Sequence, residues 1–543
     1  MDIQLDISLM AAGRDGVRNF LWPVAREEMV SVRDSLSRKL VSVIKGYSKT
    51  HFEEANVLSI LELALINESM SLYLPQAIHS RLESLGHHVQ PPRTGRVFSS
   101  LITGKSLDVI AMSPKELYGL HSQRWNWLNP SIRRAYRRVR RSGISVDSLV
   151  PINPKKDIIA LQETPIIKMH AGSVASKVQI ESSYSAGWFR PESYPEVSKA
   201  LRSSINDNFI SDSLDAIGDA FLDGNETISD GFRYYLKSWL QYTTGLIRLR
   251  LNKLTARHQK LPDNLWTGSG AKISTRILQY ATRIAGGNVI AHDHSQGQGF
   301  LIYSSRNLTD YDSCSQFVTY NEANADALRK YSVNRELLVS DDLPEIAPVP
   351  RNSSSKPSPI LDGISNIEVA PRRPRIKTIM YPASFYNGER IHYAIKVPDM
   401  VQLDWESRLF THLDHWGYKV IHKPYPGSVG LPSPEIVKSL GGETSNKPFE
   451  QVMHRADLVI FIDPKSTPLV YSLAAGKPVV FIDAGLVNWV PEALDEFSRR
   501  CSVVKGYFDE ENRLQVDWDD LKFAIEKSTH LSDDSFYNTY LTM

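Results

Sequence analysis

Three consecutive ionisable residues, His292-Asp293-His294, follow the apolar run Asn288–Ala291 and open a loop containing Ser295, Gly297 and Gly299. Imidazoles titrate near neutrality, so two of them beside a carboxylate could move protons. The carboxylate itself could act as nucleophile, general base or metal ligand. Side chains alternate along a strand, so His292 and His294 would share one face and Asp293 would take the other. A hydrogen-bonded structural turn is the competing reading, and three ionisable residues beside glycines weigh against it. A metal centre would need a third ligand, and nothing nearby has ligand spacing.

Two further stretches could hold a ligand. Leu265-Trp266 ends a short predicted strand, and Thr267-Gly268-Ser269-Gly270 then leads into a helix expected over 271–284. Backbone N–H groups would be offered at that helix start. Further on, Phe449–Asp483 reads as helix, strand, polar turn, helix, strand. Its run Ala456–Ile462 is apolar enough for a parallel strand covered on both faces. Asp463-Pro464-Lys465 breaks the run, and Thr467 before Pro468 predicts an N-cap with proline at the first helical position. Such a turn, between a strand's carboxyl end and a helix start, is where open α/β sheets bind anions.

These stretches need elements to position them. Strands alternating with helices of ordinary length predict parallel, doubly wound sheets. At 543 residues the chain exceeds a single ordinary core. The boundaries fall at 1–150 (a helical region with a basic run), 151–340 (a Rossmann-like domain), 341–375 (a Pro/Ser-rich linker), 376–530 (a second Rossmann-like domain) and 531–543 (a tail). In the helical region, 25–44 and 55–85 carry apolar residues at spacings of three and four.

A net charge of +2 argues against a dedicated nucleic-acid binder, and 42% hydrophobic residues indicate a globular protein. Two cysteines, Cys314 and Cys501, provide no disulfide framework, as in a reducing cytosol. No apolar run of about 20 residues and no signal-peptide pattern stand out, so a cytoplasmic location is expected. One local exception is the cluster Arg133, Arg134, Arg137, Arg138, Arg140 and Arg141, with Trp125 and Trp127 just upstream. It is either a solvated face or a contact for anionic lipid headgroups or an anionic glycan at the inner face of the membrane.

Lys423-Pro424-Tyr425-Pro426 after a strand, followed by Phe449–Asp483, resembles the C-terminal domain of bacterial surface-polysaccharide transferases. These include capsule and lipopolysaccharide Kdo transferases and CDP-polyol phosphotransferases. Tyr425 replaces the family's usual His, and Tyr471 stands near where many members have Glu. The first domain's pattern from Trp266 through Gly299 is similar to the retaining β-Kdo transferases. The resemblance implies a GT-B-like α/β fold, two Rossmann-like domains facing a cleft with a helical N-terminal extension. It implies a glycosyltransferase that moves a sugar, Kdo or a related ulosonic acid, from a CMP-linked donor to a glycan or lipid-linked acceptor. Lys423, Tyr425, Asp463, Ser466 and Thr467 would bind the donor. Trp266, Gly268, Ser269, Gly270, Arg276, Ser295 and Gly297 would bind the sugar or acceptor. Asp293 would take the sugar covalently while His292 or His294 handles protons. Such enzymes work without a bound metal or cofactor, so neither is expected. The alternatives are a CDP-polyol phosphotransferase, a UDP- or GDP-sugar transferase, and a non-enzymatic nucleotide-sugar-binding scaffold of an envelope assembly complex.

Overall fold

The structure is a computed structural model that describes residues 2–4, 22–90, 158–162, 164–176, 178–181, 207–256, 261–293, 298–302, 305–350, 375–384, 386, 397–425 and 437–542. The arginine cluster at 133–141, Trp125, Trp127, His294, Ser295, Gly297 and most of the expected linker lie outside the described residues.

The fold is mixed α/β with two large, mainly parallel sheets among the described residues. The first has six strands in the spatial order Val178–Glu181, Ile158–Leu161, Asn264–Thr267, Asn288–His292, Gln316–Thr319, Glu345–Pro348. All its neighbouring pairs are parallel. Counted along the chain this is 2-1-3-4-5-6, so the winding reverses between Ile158–Leu161 and Asn264–Thr267. Alternation sorts the side chains. Ile158, Ala160 and Trp266 pack under the helix Pro165–Ser173, while Ile159, Leu161 and Leu265 join the core shared with the long helices.

Those long helices are Arg26–Thr50, Phe52–Ser84, Asp207–Leu222 and Asp230–Thr255. The expected N-terminal extension is therefore half of a helical layer, completed by two helices inserted between the second and third strands. Phe52–Ser84 contains a stretch long and apolar enough to cross a bilayer, yet 78% of its most apolar window is buried inside the protein. The helix Ile273–Ile284 ties this layer to the sheet through Arg276, 1% exposed, which donates to Ser59 O at 2.7 Å and lies 3.3 Å from Glu62.

The second sheet has seven strands in the order Glu443–Thr444, Lys419–Lys423, Thr378–Pro382, Leu458–Phe461, Val479–Asp483, Ser502–Phe508, Leu514–Val516. Along the chain this is 3-2-1-4-5-6-7, with only the last pair antiparallel. The first six strands follow the doubly wound dinucleotide-fold order, and the reversal falls between Thr378–Pro382 and Leu458–Phe461.

The two sheets are joined at their carboxyl ends. Leu301–Ile302, downstream of Asn288–His292, pairs antiparallel with Asn488–Trp489, downstream of Val479–Asp483. Val490 N donates to Phe300 O at 3.0 Å. Phe300 stacks on Trp489 with centroids 5.5 Å apart, and Phe536 meets Phe300 and Phe497 edge-on, 5.1 Å from each. The expected tail thus contains a helix, Ser535–Tyr540, that belongs to the joint. Asn321 and Asn324 of the first domain donate to its carbonyls, Asn321 Nδ2 to Thr539 O at 3.0 Å and Asn324 Nδ2 to Tyr540 O at 3.2 Å. The helical layer reaches the second domain too. Arg26 Nη2 donates to Leu486 O at 3.1 Å, and Asn512 Nδ2 to Trp22 O at 2.8 Å.

One boundary moves. Glu345–Pro348, inside the stretch read as linker from 341, is the edge strand of the first sheet, paired with Gln316–Thr319. Its prolines suggested a linker, but an edge strand leaves one side of its backbone unpaired and tolerates proline. Phe536 is fully buried at the joint. Truncating it to alanine should cost about 3–5 kcal/mol, read as a lowered unfolding midpoint in urea, whereas a change below about 1 kcal/mol would show that the joint is loosely packed.

Candidate functional site

The His292-Asp293 step diverges as alternation requires: His292 faces the Pro165–Ser173 helix, and Asp293 faces Arg306 on the opposite side. Both are fully buried. His292 Nε2 lies 2.9 Å from His170 Nδ1, and His292 Nδ1 lies 3.3 Å from Thr267 O. His170 in turn stacks on Trp266 with centroids 4.1 Å apart and an interplanar angle of 13°. Burial pushes His292 down to about 3, helped by the neighbouring His170, and pushes His170 down to about 4. Both rings are neutral at physiological pH, so His292 does not have the near-neutral titration expected of a proton-handling residue. Trp266 is sealed beneath His170 and presents no platform to a sugar.

Asp293 Oδ1 accepts from Arg306 Nη2 at 2.9 Å. The Arg306 guanidinium is also buried, with Cζ 4.8 Å above the Phe317 ring. Burial works against its charge, but Asp293 more than offsets that, and Arg306 is held protonated above its ordinary range. The pair clasps the two ends of the segment running from Asp293 to Arg306, the same segment that carries Phe300 to the joint. A sealed, charge-paired carboxylate is poorly placed to attack an anomeric carbon, so the geometry gives Asp293 a positioning role.

The glycine turn also differs from expectation. Gly270 N, expected to await a ligand, donates to Asp310 Oδ1 at 2.8 Å, and Ala271 N donates to Ser269 Oγ at 3.2 Å. A protein carboxylate therefore occupies the place of an incoming anion. A Cβ at Gly270 would lie 2.1 Å from Thr309 O, so close packing of backbones requires glycine there. Arg276, expected to grip a sugar carboxylate, is committed to Glu62, Ser59 O and Leu308 O. It holds the helical layer in place.

In the second domain the expected residues lie at the carboxyl edge, Asp463, Ser466 and Thr467 after a strand of the reversal pair and Lys423 and Tyr425 at and after the end of the strand next to it. Lys423 ends its strand and is 5% exposed. It points to the same side as Ile421, the face covered by Phe449, Leu469 and Val470. Its Nζ donates to Pro424 O at 3.2 Å, and burial lowers its pKa. Ser466, one residue earlier than expected, occupies the N-cap position of the helix Thr467–Ala474 in extended conformation, and its hydroxyl does not cap the helix. Asp463 Oδ1 accepts from Lys465 N at 3.0 Å and shapes the turn. Tyr425 is 49% exposed beside them.

Several residues here were not singled out in the sequence. Glu406, wholly buried, accepts from Tyr386 Oη at 2.8 Å and Gln402 Nε2 at 3.0 Å, and Gln402 also reaches Ser384 O at 3.1 Å. This network fastens the loop after Thr378–Pro382 to the helix Asp399–His415. His422 lies 3.8 Å from Glu406, but burial and Lys423 push it down to about 3, so this is not an ion pair. His170 was signalled only by Thr164-Pro165, a cap and a first-turn proline that mark a helix start.

The neutral histidines have a measurable consequence. Unfolded histidines take up protons near pH 6.5, whereas His170 and His292 in the fold resist protonation to about pH 4 and 3. Between pH 6.5 and 5 the unfolded chain binds more protons, so stability falls as pH falls, by up to about 1.4 kcal/mol per pH unit per histidine. His292→Gln should make that decline shallower by one histidine's share in urea titrations at pH 7, 6 and 5. An unchanged slope would mean that His292 is charged in the fold. Among known proteins, no family model and no curated sequence matches this chain.

Proposed function

We propose that the chain is a nucleotide-sugar-dependent glycosyltransferase of the GT-B plan, with the donor on the second domain and the acceptor on the first. The observation that carries this reading is Lys423. It is a buried ammonium at the carboxyl edge of an open parallel sheet, on the strand next to the reversal, hydrogen-bonded to the neighbouring Pro424 carbonyl, and the Glu450 carboxylate acts on it only from beyond ion-pair distance. A buried cation of this kind is stabilised by an anion, and the donor's phosphate supplies one. The start of Thr467–Ala474 lies on the same face and adds the Thr467 N–H, since Pro468 has none and Leu469 N already donates to Ser466 O.

In the proposed reaction an acceptor hydroxyl attacks the anomeric carbon, the bond from that carbon to the phosphate oxygen breaks, and the nucleotide leaves with its phosphate taking up the hydroxyl proton. Lys423 and the helix start hold the negative charge that develops on the departing phosphate. A CMP-linked ulosonic acid is the donor favoured by the resemblance around Lys423 and Phe449–Asp483. A lipid-linked or polysaccharide acceptor, at the cytoplasmic face of the membrane, accords with the arginine cluster at 133–141. The ion pair with Arg306 supports positioning by Asp293 over a covalent adduct.

A screen of CMP-, UDP- and GDP-sugars for nucleotide release tests the activity, and a wild-type protein that turns over none of them would defeat it. Lys423→Met should weaken nucleotide binding about 10- to 100-fold, without lowering the unfolding midpoint; undiminished binding would remove Lys423 from the site. Asp293→Asn should retain measurable transfer if the residue positions the loop. Total loss in a folded Asp293→Asn protein, with a wild-type mass increase of one sugar on Asp293, would instead establish a nucleophile.

A further inference from the structure

The reversal point of the first sheet has a chemistry opposite to that of the second. Thr267 O can only accept a hydrogen bond, so His292 Nδ1 carries the proton directed at it. A neutral His292 then has a bare Nε2, which must accept from His170 Nδ1–H. His170, neutral as well, is left with a lone pair on Nε2. Its orientation is fixed by two independent contacts, the hydrogen bond to His292 and the stack on Trp266. His170 is 95% buried, and its Nε2 has no hydrogen-bond partner among the described residues.

A second acceptor lies at the same edge. Gln162 follows the strand Ile158–Leu161 with φ of 83°, a left-handed conformation that costs a non-glycine residue about 1 kcal/mol. Its Oε1 is buried without a hydrogen-bond partner and lies over the glycine turn. A Cβ at Gly268 would approach that oxygen to 2.7 Å, so a larger residue there would displace the Gln162 side chain. The backbone donors of the glycine turn are already engaged, while Arg276 Nε and Arg306 Nε and Nη1 are buried N–H groups without a partner. Gly270 N is held by Asp310, Ala271 N by Ser269, Arg276 by Glu62, and Arg306 by Asp293.

We propose that this edge of the first sheet is a binding site for a neutral, hydroxyl-bearing ligand, with His170 Nε2 and Gln162 Oε1 accepting hydrogen bonds from its hydroxyl groups. The assignment as the sugar acceptor rests on the transferase reading, but the site itself does not. Two acceptors of this kind favour O–H donors over an ionised phosphate, which itself offers only acceptors. This preference also places the two substrates by charge: phosphate at Lys423, hydroxyl groups at His170.

The full-length protein, labelled with ¹⁵N-histidine, should show His170 as the tautomer protonated on Nδ1. A proton on Nε2 would overturn the proposal before any ligand is added. An array of neutral mono- to tetrasaccharides, with inorganic phosphate as the anionic counter-probe, then tests the ligand class. Wild type should retain at least one neutral saccharide, and binding should fall tenfold or more in His170→Phe, which keeps a ring on Trp266. His170→Gln, which restores an acceptor oxygen, should recover part of it. Lys423→Met should leave saccharide binding unchanged while losing phosphate. Saccharide binding indifferent to His170, no saccharide binding at all, or phosphate competing at this site would each refute the proposal. Saccharide binding that depends on His170 without turnover of any nucleotide sugar would sustain the site and defeat the transferase reading. Turnover indifferent to His170 would do the reverse.

Discussion

The architecture depends on one junction, where Phe300 and Leu301 of the first domain meet Trp489 and Val490 of the second. Both segments leave the carboxyl ends of parallel strands, so their pairing turns the carboxyl edges of the two sheets toward the same region. A two-residue strand pair alone would be too weak to hold domains together. It is sustained by the surrounding aromatic cluster and by continuity of the core, in which Ile166 and Val318 are buried together with Met380 and Phe461. Domains joined by a large apolar interface move as a unit more than domains joined by polar contacts. The Asp293–Arg306 ion pair then has a clear purpose as the clasp at the base of the segment that reaches the junction.

Polar groups left without partners distinguish the two edges. At the first edge the backbone donors of the glycine turn are filled and Gln162 Oε1 is left as a buried acceptor, whereas the second edge holds the Lys423 ammonium. Burial gives this contrast its weight, because an unsatisfied polar atom out of water costs far more than one at the surface. The same desolvation keeps His170, His292 and His422 neutral. Their rings are fixed hydrogen-bonding and packing elements at physiological pH.

The α/β alternation was legible from apolar runs and turn residues, and both reversal points fall beside stretches that stood out in the sequence, Thr267–Gly270 and Asp463–Thr467. What escaped was who would occupy each group. Arg276 looked like a ligand-binding cation because its partner Glu62 is 214 positions away. His292 looked like a proton carrier because His170, which buries it, is 122 positions away. Local pattern reports which faces alternate, while protonation and availability are set by tertiary neighbours that no local spacing reveals. The prolines near Glu345–Pro348 misled for a related reason, since an edge strand and a linker share the absence of a partner on one side.

The contacts of Trp22 and Arg26 with Asn512 and Leu486 span 490 and 460 positions. On a ribosome adding about 5–20 residues per second, the first helices would wait roughly 25–90 seconds before their last partners emerge. During that interval their packing must rest on the neighbouring helices Phe52–Ser84 and Asp207–Leu222. The helical layer is therefore the part of this molecule that forms early and finishes late. Its biogenesis is governed by the order of synthesis as much as by the stability of the completed fold.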